Sequence, residues 1–132
     1  MMKKLLVILS ISILLIVSCK KTGMSPVGPT DIRVKNLSDV PMTNVTVNTF
    51  DSTFNYGALG PGDTTEYHRF DRAYPKAYIT ATINSQTFKT DTVYYTYQNY
   101  LSTVKATYQI YIKNEAQRKL EISNVVLDSE LK

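Results

Sequence analysis

One histidine stands among several carboxylates in the middle of the chain. His68 occurs in the segment TTEYHRFDR, close in sequence to Asp63, Glu66 and Asp71. A histidine oriented by a carboxylate can act as a general base, whereas a metal site would need further imidazole or thiolate ligands. If Tyr67 faces the core, His68 faces solvent beside Glu66. We therefore predict a surface strand residue, and we expect no catalytic residue, no metal and no cofactor.

A dense group of tyrosines is the second candidate for chemistry. Tyr94, Tyr95, Tyr97 and Tyr100 lie in VYYTYQNYL. Tyrosine combines a large apolar face with a polar tip, so these rings are a candidate ligand platform for a sugar ring or a peptide. The alternative is packing, in which alternate tyrosines enter the core and the others cover a sheet edge or a loop. In that alternation Tyr95 and Tyr97 share a face and Tyr94 opposes them. Exposure of three neighbouring rings would favour binding, because monomers seldom expose large apolar patches.

The single cysteine follows an apolar run. Lys3 and Lys4 precede residues 5–17, which are apolar except for two serines. As a helix that run spans roughly 20 Å, too short for the about 30 Å of a bilayer core, so it indicates a signal peptide. The residues Ile16-Val17-Ser18-Cys19 resemble the lipobox of bacterial lipoproteins. The resemblance implies cleavage between Ser18 and Cys19 and acylation of the Cys19 sulfur.

These features predict the organisation of the chain. Residues 1–18 form a signal peptide, residues 19–30 form the lipidated cysteine with a Gly- and Pro-containing tether, and residues 31–132 form one domain. Acylated Cys19 would hold the protein on membrane lipid and leaves no thiol for a disulfide. Loss of residues 1–18 leaves 13 basic against 11 acidic residues, a net charge of +2. Such a balance gives no reason to expect nucleic acid as a partner.

Three short triplets resemble the acceptor sequence of the O-glycosylation system found in Bacteroidota. They are Asp51-Ser52-Thr53, Asp63-Thr64-Thr65 and Asp91-Thr92-Val93. The resemblance implies glycosylation at Ser52, Thr64 or Thr92. The alternative is that these residues form turns and strand entries, for which Asp and Thr are also suited.

The sequence pattern predicts β-strands almost throughout the domain. Period-two alternation recurs between turn signals, most clearly in VKATYQIYI, where Val104, Ala106 and Tyr108 share one face and Lys105 and Thr107 share the other. Seven or eight short strands without intervening helices predict an all-β fold with antiparallel sheets. We expect an immunoglobulin-like β-sandwich, with a small barrel as the alternative.

The stretches IRVKNLSDVPMTNVTVNT and NYGALGPGDTTEYHRFDRAYPKAYI resemble a set of small Bacteroidota lipoproteins. The resemblance covers roughly residues 31–84 and implies the fold and a location in the cell envelope, and it carries no catalytic residue across. In lipoproteins of that phylum, acidic residues after the cysteine mark export to the cell surface. Here Lys20 and Lys21 stand at those positions, which favours the periplasmic face of the outer membrane.

Two functions remain open at this point. The first is a noncatalytic module that binds an envelope protein or contributes to its assembly. The second is a glycan- or peptide-binding lipoprotein that uses the tyrosine cluster. An enzyme is the least favoured reading, because no glycine-rich phosphate loop, nucleophile elbow or paired cysteines occur in the sequence.

Overall fold

A computed structural model describes residues 27–130 of the chain. The predicted signal peptide, the cleavage and lipidation site at Ser18 and Cys19, and most of the tether lie outside these residues. Within residues 27–130, no helix has the length and apolar character to cross a membrane.

The described residues form an all-β domain. Eight strands build one sheet with the spatial order β3-β2-β5-β6-β8-β7-β1-β4, and a 3₁₀ turn lies at Tyr95–Tyr97. The all-β class and the expected number of strands are confirmed. In chain order the strands are β1 (Thr30–Asn36), β2 (Thr43–Asn48), β3 (Thr53–Asn55), β4 (His68–Phe70), β5 (Tyr78–Ile83), β6 (Gln86–Lys89), β7 (Val104–Asn114) and β8 (Lys119–Glu130).

The prediction of purely antiparallel sheets is wrong. β1 pairs in parallel with β7 over six residue pairs, and β6 pairs in parallel with β8 at Lys89 and Lys119. Parallel strands need a long connection, which is usually a helix. Here the intervening strands and loops supply that connection, since β1 and β7 are far apart in sequence. The absence of helices therefore did not exclude parallel pairs.

The core follows the predicted alternation. Ile32 and Val34 of β1 are fully buried, and so are Ala106, Tyr108 and Ile110 of β7. Other strands add inward-facing side chains to the same cluster, because successive residues of a strand point to opposite faces. These further core residues include Val45, Val47, Ile79, Ala81, Ile83, Phe88 and Leu120.

The sheet curls until its two edges nearly meet. The terminal strands β3 and β4 contact each other through their side chains, where the rings of Phe54 and His68 stack with centroids 3.6 Å apart. The result is one sheet nearly closed into a barrel, in place of the expected two-layer sandwich. Period-two alternation could not separate these two forms, since each buries one face of every strand.

Candidate binding surface

A tight turn at one end of the sheet holds an exposed aromatic ring. The turn Thr49–Ser52 joins β2 to β3, and its Thr49 amide donates to the Ser52 carbonyl at 3.0 Å. Phe50 occupies the first central position with φ +97°, and 59% of its surface is exposed. Hairpin turns normally place glycine where φ is positive at this position. A bulky residue there is a clear outlier, and such strain tends to cluster at ligand-binding sites.

Tyr95 supports that ring from the 3₁₀ turn. The Phe50 and Tyr95 rings meet edge to face with centroids 5.5 Å apart. The Tyr95 hydroxyl donates to the Asn48 carbonyl at 2.8 Å and accepts from the Tyr78 amide at 3.3 Å. Burial raises the pKa of Tyr95, although the bond from the Tyr78 amide acts in the opposite direction. Tyr95 is therefore a neutral, half-buried support.

Tyr74 extends the cluster and joins it to the core. Its ring contacts Tyr95 and Tyr100 at centroid distances of 4.8 and 5.1 Å. Its carbonyl accepts a 2.5 Å hydrogen bond from the hydroxyl of Tyr108, and burial strongly raises the pKa of Tyr108. Tyr74 is buried, whereas 38% of Tyr100 is exposed. We call Phe50, Tyr74, Tyr95 and Tyr100 the aromatic end.

A charged pair flanks the aromatic end. The Arg72 Nε donates to Asp51 Oδ2 at 2.8 Å, and the Arg72 guanidinium lies 5.6 Å from the Phe50 ring centroid. Hydrogen bonds to Asp51 and Tyr100 raise the pKa of Arg72. Both side chains are about one-third exposed. Apolar ring faces beside a polar fork can bind a ligand that offers both an apolar face and hydrogen-bonding groups.

The four tyrosines of the predicted ligand platform differ in how much of each is exposed. Tyr94 is 74% exposed and immediately precedes the 3₁₀ turn, and Tyr100 lies at the rim of the aromatic end. Tyr95 is half-buried, and for Tyr97 only the position within the turn is described. The alternation predicted for an extended strand does not apply here, because Tyr95–Tyr97 is a 3₁₀ turn between β6 and β7.

Four residues of this surface were not predicted from the sequence: Phe50, Asp51, Arg72 and Tyr74. They lie at least 19 positions from the tyrosine segment in sequence, and only the fold brings them to it. The sequence does hold one signal, since a Phe-Asp pair follows the alternating strand NVTVN where a hairpin turn favours Asn-Gly or Gly-containing pairs.

His68 lies in a strand, as predicted, and it is half-buried. Its ring stacks on Phe54 and meets the Phe70 ring edge to face at 5.0 Å. The side chain is less exposed than predicted, because Phe54 at the opposite edge of the sheet covers part of the ring. Among residues 27–130, no group of three or more His, Cys, Asp or Glu side chains could hold a metal ion.

The three triplets that resemble glycosylation sites lie on turns and connections. Thr64 and Thr92 are exposed, and Ser52 is half-buried in the hairpin turn. Asp51 pairs with Arg72, and Asp91 pairs with Lys119. Glycosylation at these hydroxyls stays a prediction.

A polar network covers the outer face of β1 and β7. The register between β7 and β8 shifts at Lys105, which leaves Asp128 as the extra residue of a bulge. Asp128 Oδ2 accepts from the hydroxyls of Thr107 and Tyr67, each at 2.7 Å, and Arg33 Nε donates to the Thr107 hydroxyl. Burial acts to raise the pKa of Asp128, but these hydrogen bonds and the charge of Arg33 outweigh it and hold the pKa below its ordinary value.

Comparisons with known proteins show one similar solved structure and no family for this chain. No family model matches the chain, and a search of curated proteins found no match. Among solved structures, the chain is similar to one described as the NMR structure of a protein from Eubacterium rectale. The two share 20% sequence identity over 73% of this chain and 89% of that chain, with a TM-score of 0.47. A likeness this weak carries no argument about function, so the comparisons assign the chain to no family.

Proposed function

We propose that this protein is a noncatalytic binding module, anchored to the cell envelope through acylated Cys19, that holds an envelope protein at its aromatic end. The resemblance of its sequence to small Bacteroidota lipoproteins supports an outer-membrane location, with the periplasmic face favoured. The short tether would keep the domain near the lipid surface. We further propose that the protein belongs with those lipoproteins.

The observation that carries this proposal is the conformation of Phe50. A large apolar side chain is 59% exposed at a backbone position with φ +97°. Glycine would relieve the strain, so folding alone does not account for a phenylalanine here. Aromatic residues are the typical anchors of binding interfaces. The ring is also held in place by Tyr95 and Arg72, so its presentation would require little ordering upon binding.

A glycan is the second candidate ligand for the same surface. Asp51 and Arg72 form a hydrogen-bonded ion pair beside the exposed Phe50 ring. Sugar rings present C–H groups on one face and hydroxyls at the edge, so a ring face with neighbouring polar forks suits them. A peptide that carries both apolar and polar side chains would also fit this description.

Affinity capture with the lipidated full-length chain in detergent tests the proposal. The wild type, Phe50→Ala and Leu127→Ala would be immobilised and incubated with an envelope extract. Leu127 is a matched control, since 61% of it is exposed on β8. We expect Phe50→Ala to reduce capture of the ligand at least about tenfold, roughly 1.4 kcal/mol, and Leu127→Ala to leave it unchanged.

Treatment of the extract identifies the class of ligand. Protease digestion should abolish capture if the ligand is a protein, whereas periodate oxidation should abolish it if the ligand is a glycan. Equal capture by the wild type and Phe50→Ala would contradict a binding role for the aromatic end.

A further inference from the structure

The nearly closed barrel leaves a groove along the line where its edges approach each other. The sheet order ends at β3 on one side and β4 on the other. The groove has a volume of about 480 Å³, within the range of roughly 300–1,000 Å³ that is common for ligand sites. Its lining includes Phe54, Tyr56, Leu59, Thr64, Thr65 and Glu66. We call this space the seam groove.

One wall of the seam groove continues β3 beyond its last residue. The Tyr56 amide donates to the Val45 carbonyl at 2.7 Å. Leu59 and Met42 exchange two backbone hydrogen bonds, at 2.9 and 2.8 Å. Residues 56–59 therefore follow β2 with a bulge at Gly57, whose φ is +80°, and these hydrogen bonds point toward β2.

The opposite wall extends β4 in the N-terminal direction along β1. The Asn36 amide donates to the Asp63 carbonyl at 3.0 Å, and the Thr65 amide donates to the Val34 carbonyl at 2.9 Å. These two bonds flank the antiparallel pair Lys35 and Thr64. In such a pair the N–H and C=O of the middle residue point away from the partner strand. The backbone groups of Thr64 consequently face the seam groove.

Two stacked side chains close one end of the seam groove, and a backbone turn closes the other. The Phe54 and His68 rings stack at one end, and a turn closes the other, where the Asp63 amide donates to the Gly60 carbonyl. Between them, the Tyr56 hydroxyl donates to the Ile32 carbonyl at 2.6 Å and gives the groove an aromatic floor. The two walls are thus held together by the turn at one end and by the ring stack at the other, and the backbone groups of Thr64 lie between these two closures.

The charge of the seam groove indicates what it would accept. Asp63 and Glu66 line it, and its lining contains no lysine or arginine. Both acidic residues are exposed, so a cationic side chain could approach them. An extended peptide can add to a sheet edge through its main chain while alternate side chains enter the groove.

We propose that the seam groove binds an extended, basic polypeptide segment of a partner, which pairs with the free backbone edge at Thr64 and places its cationic side chains near Asp63 and Glu66. This site is separate from the aromatic end and goes beyond the function proposed above. The protein would then have two binding surfaces, and only the seam groove would bind a peptide through hydrogen bonds to the peptide's main chain.

Amide hydrogen exchange followed by NMR tests this inference on the full-length chain in detergent. The probe is the hexapeptide Lys-Val-Lys-Val-Lys-Val, and the controls are Glu-Val-Glu-Val-Glu-Val and Lys-Pro-Lys-Pro-Lys-Pro. We expect the first peptide to slow exchange at the Thr64 amide at least about tenfold. The Thr65 amide, already bonded to Val34, should change little and serves as an internal reference.

Variants separate the seam groove from the aromatic end. Glu66→Gln should weaken binding of the lysine peptide about three- to tenfold at low salt, whereas Glu115→Gln, an exposed acid in the turn between β7 and β8, should not. Phe50→Ala should bind the peptide normally. The inference is overturned if the lysine peptide does not bind at millimolar concentration, if the control peptides bind equally well, or if its effects map to Phe50 and Tyr100.

Discussion

Replacement of Phe50 by glycine should leave the fold nearly as stable as before while it removes ligand binding. The positive φ of Phe50 carries strain of about 1–3 kcal/mol, and glycine would release it. Against this gain stand the contacts that the ring makes. Because 59% of Phe50 is exposed, the covered part is worth about 1 kcal/mol of the roughly 1.5–3 kcal/mol for a fully buried side chain.

Two further terms enter the balance. The edge-to-face contact with Tyr95 is worth about 0.5–1.5 kcal/mol, and glycine loses about 0.5–1 kcal/mol more in backbone entropy upon folding. The losses therefore sum to about 2–3.5 kcal/mol and largely cancel the gain. We expect the free energy of unfolding of Phe50→Gly to lie within about 1.5 kcal/mol of the wild type.

Urea denaturation followed by circular dichroism measures this difference. Phe54→Ala is a useful comparison, because Phe54 stacks on His68 and has no positive φ. It should lose about 2–3 kcal/mol. A loss of 3 kcal/mol or more in Phe50→Gly would show that the ring mainly stabilises the fold and would refute the argument from strain.

Four other substitutions test separate parts of the account. Tyr108→Phe should lose about 1–2 kcal/mol in urea denaturation, because it leaves the buried Tyr74 carbonyl without its donor; an unchanged midpoint would contradict this. Asn36→Ala should lose about 3 kcal/mol, since its buried amide donates to three loop carbonyls. The folded pKa of Asp128 is depressed, so the stabilisation from its carboxylate is present above about pH 4 and is lost as the pH falls. In Asp128→Asn the free energy of unfolding should therefore fall less steeply toward acid pH than in the wild type. An equally steep fall in both proteins would contradict this role of Asp128. Cys19→Ala should move the protein from the membrane pellet to the soluble fraction, and a mutant that still pellets would contradict lipidation.

The strands were predictable because their evidence is local. Alternation in β7 identified Ala106 and Tyr108 as core residues, and both are fully buried. The parallel pairing of β1 with β7 was not predictable in the same way, because it joins segments that are distant in sequence and no pattern within either strand records its partner. The choice between a sandwich and a nearly closed barrel failed for the same reason.

The candidate site was only partly predictable. The tyrosine segment was visible in the sequence, but its 3₁₀ turn was not predicted, since alternation alone cannot report a local hydrogen bond such as the one from the Gln98 amide to the Tyr95 carbonyl. For Phe50 the sequence holds only the indirect signal of a Phe-Asp pair at a hairpin turn, because its importance comes from a backbone angle. Only the folded chain places Phe50 beside Tyr95 and Arg72.

Photo-crosslinking in living cells is the decisive test for a partner bound at the aromatic end. Benzoylphenylalanine would replace Phe50 in one full-length variant and Leu127 in another, positions that are 59% and 61% exposed. We expect a discrete, ultraviolet-dependent adduct from position 50 and none from position 127. The absence of any adduct at position 50, or the same adducts at both positions, would contradict a binding role for the aromatic end.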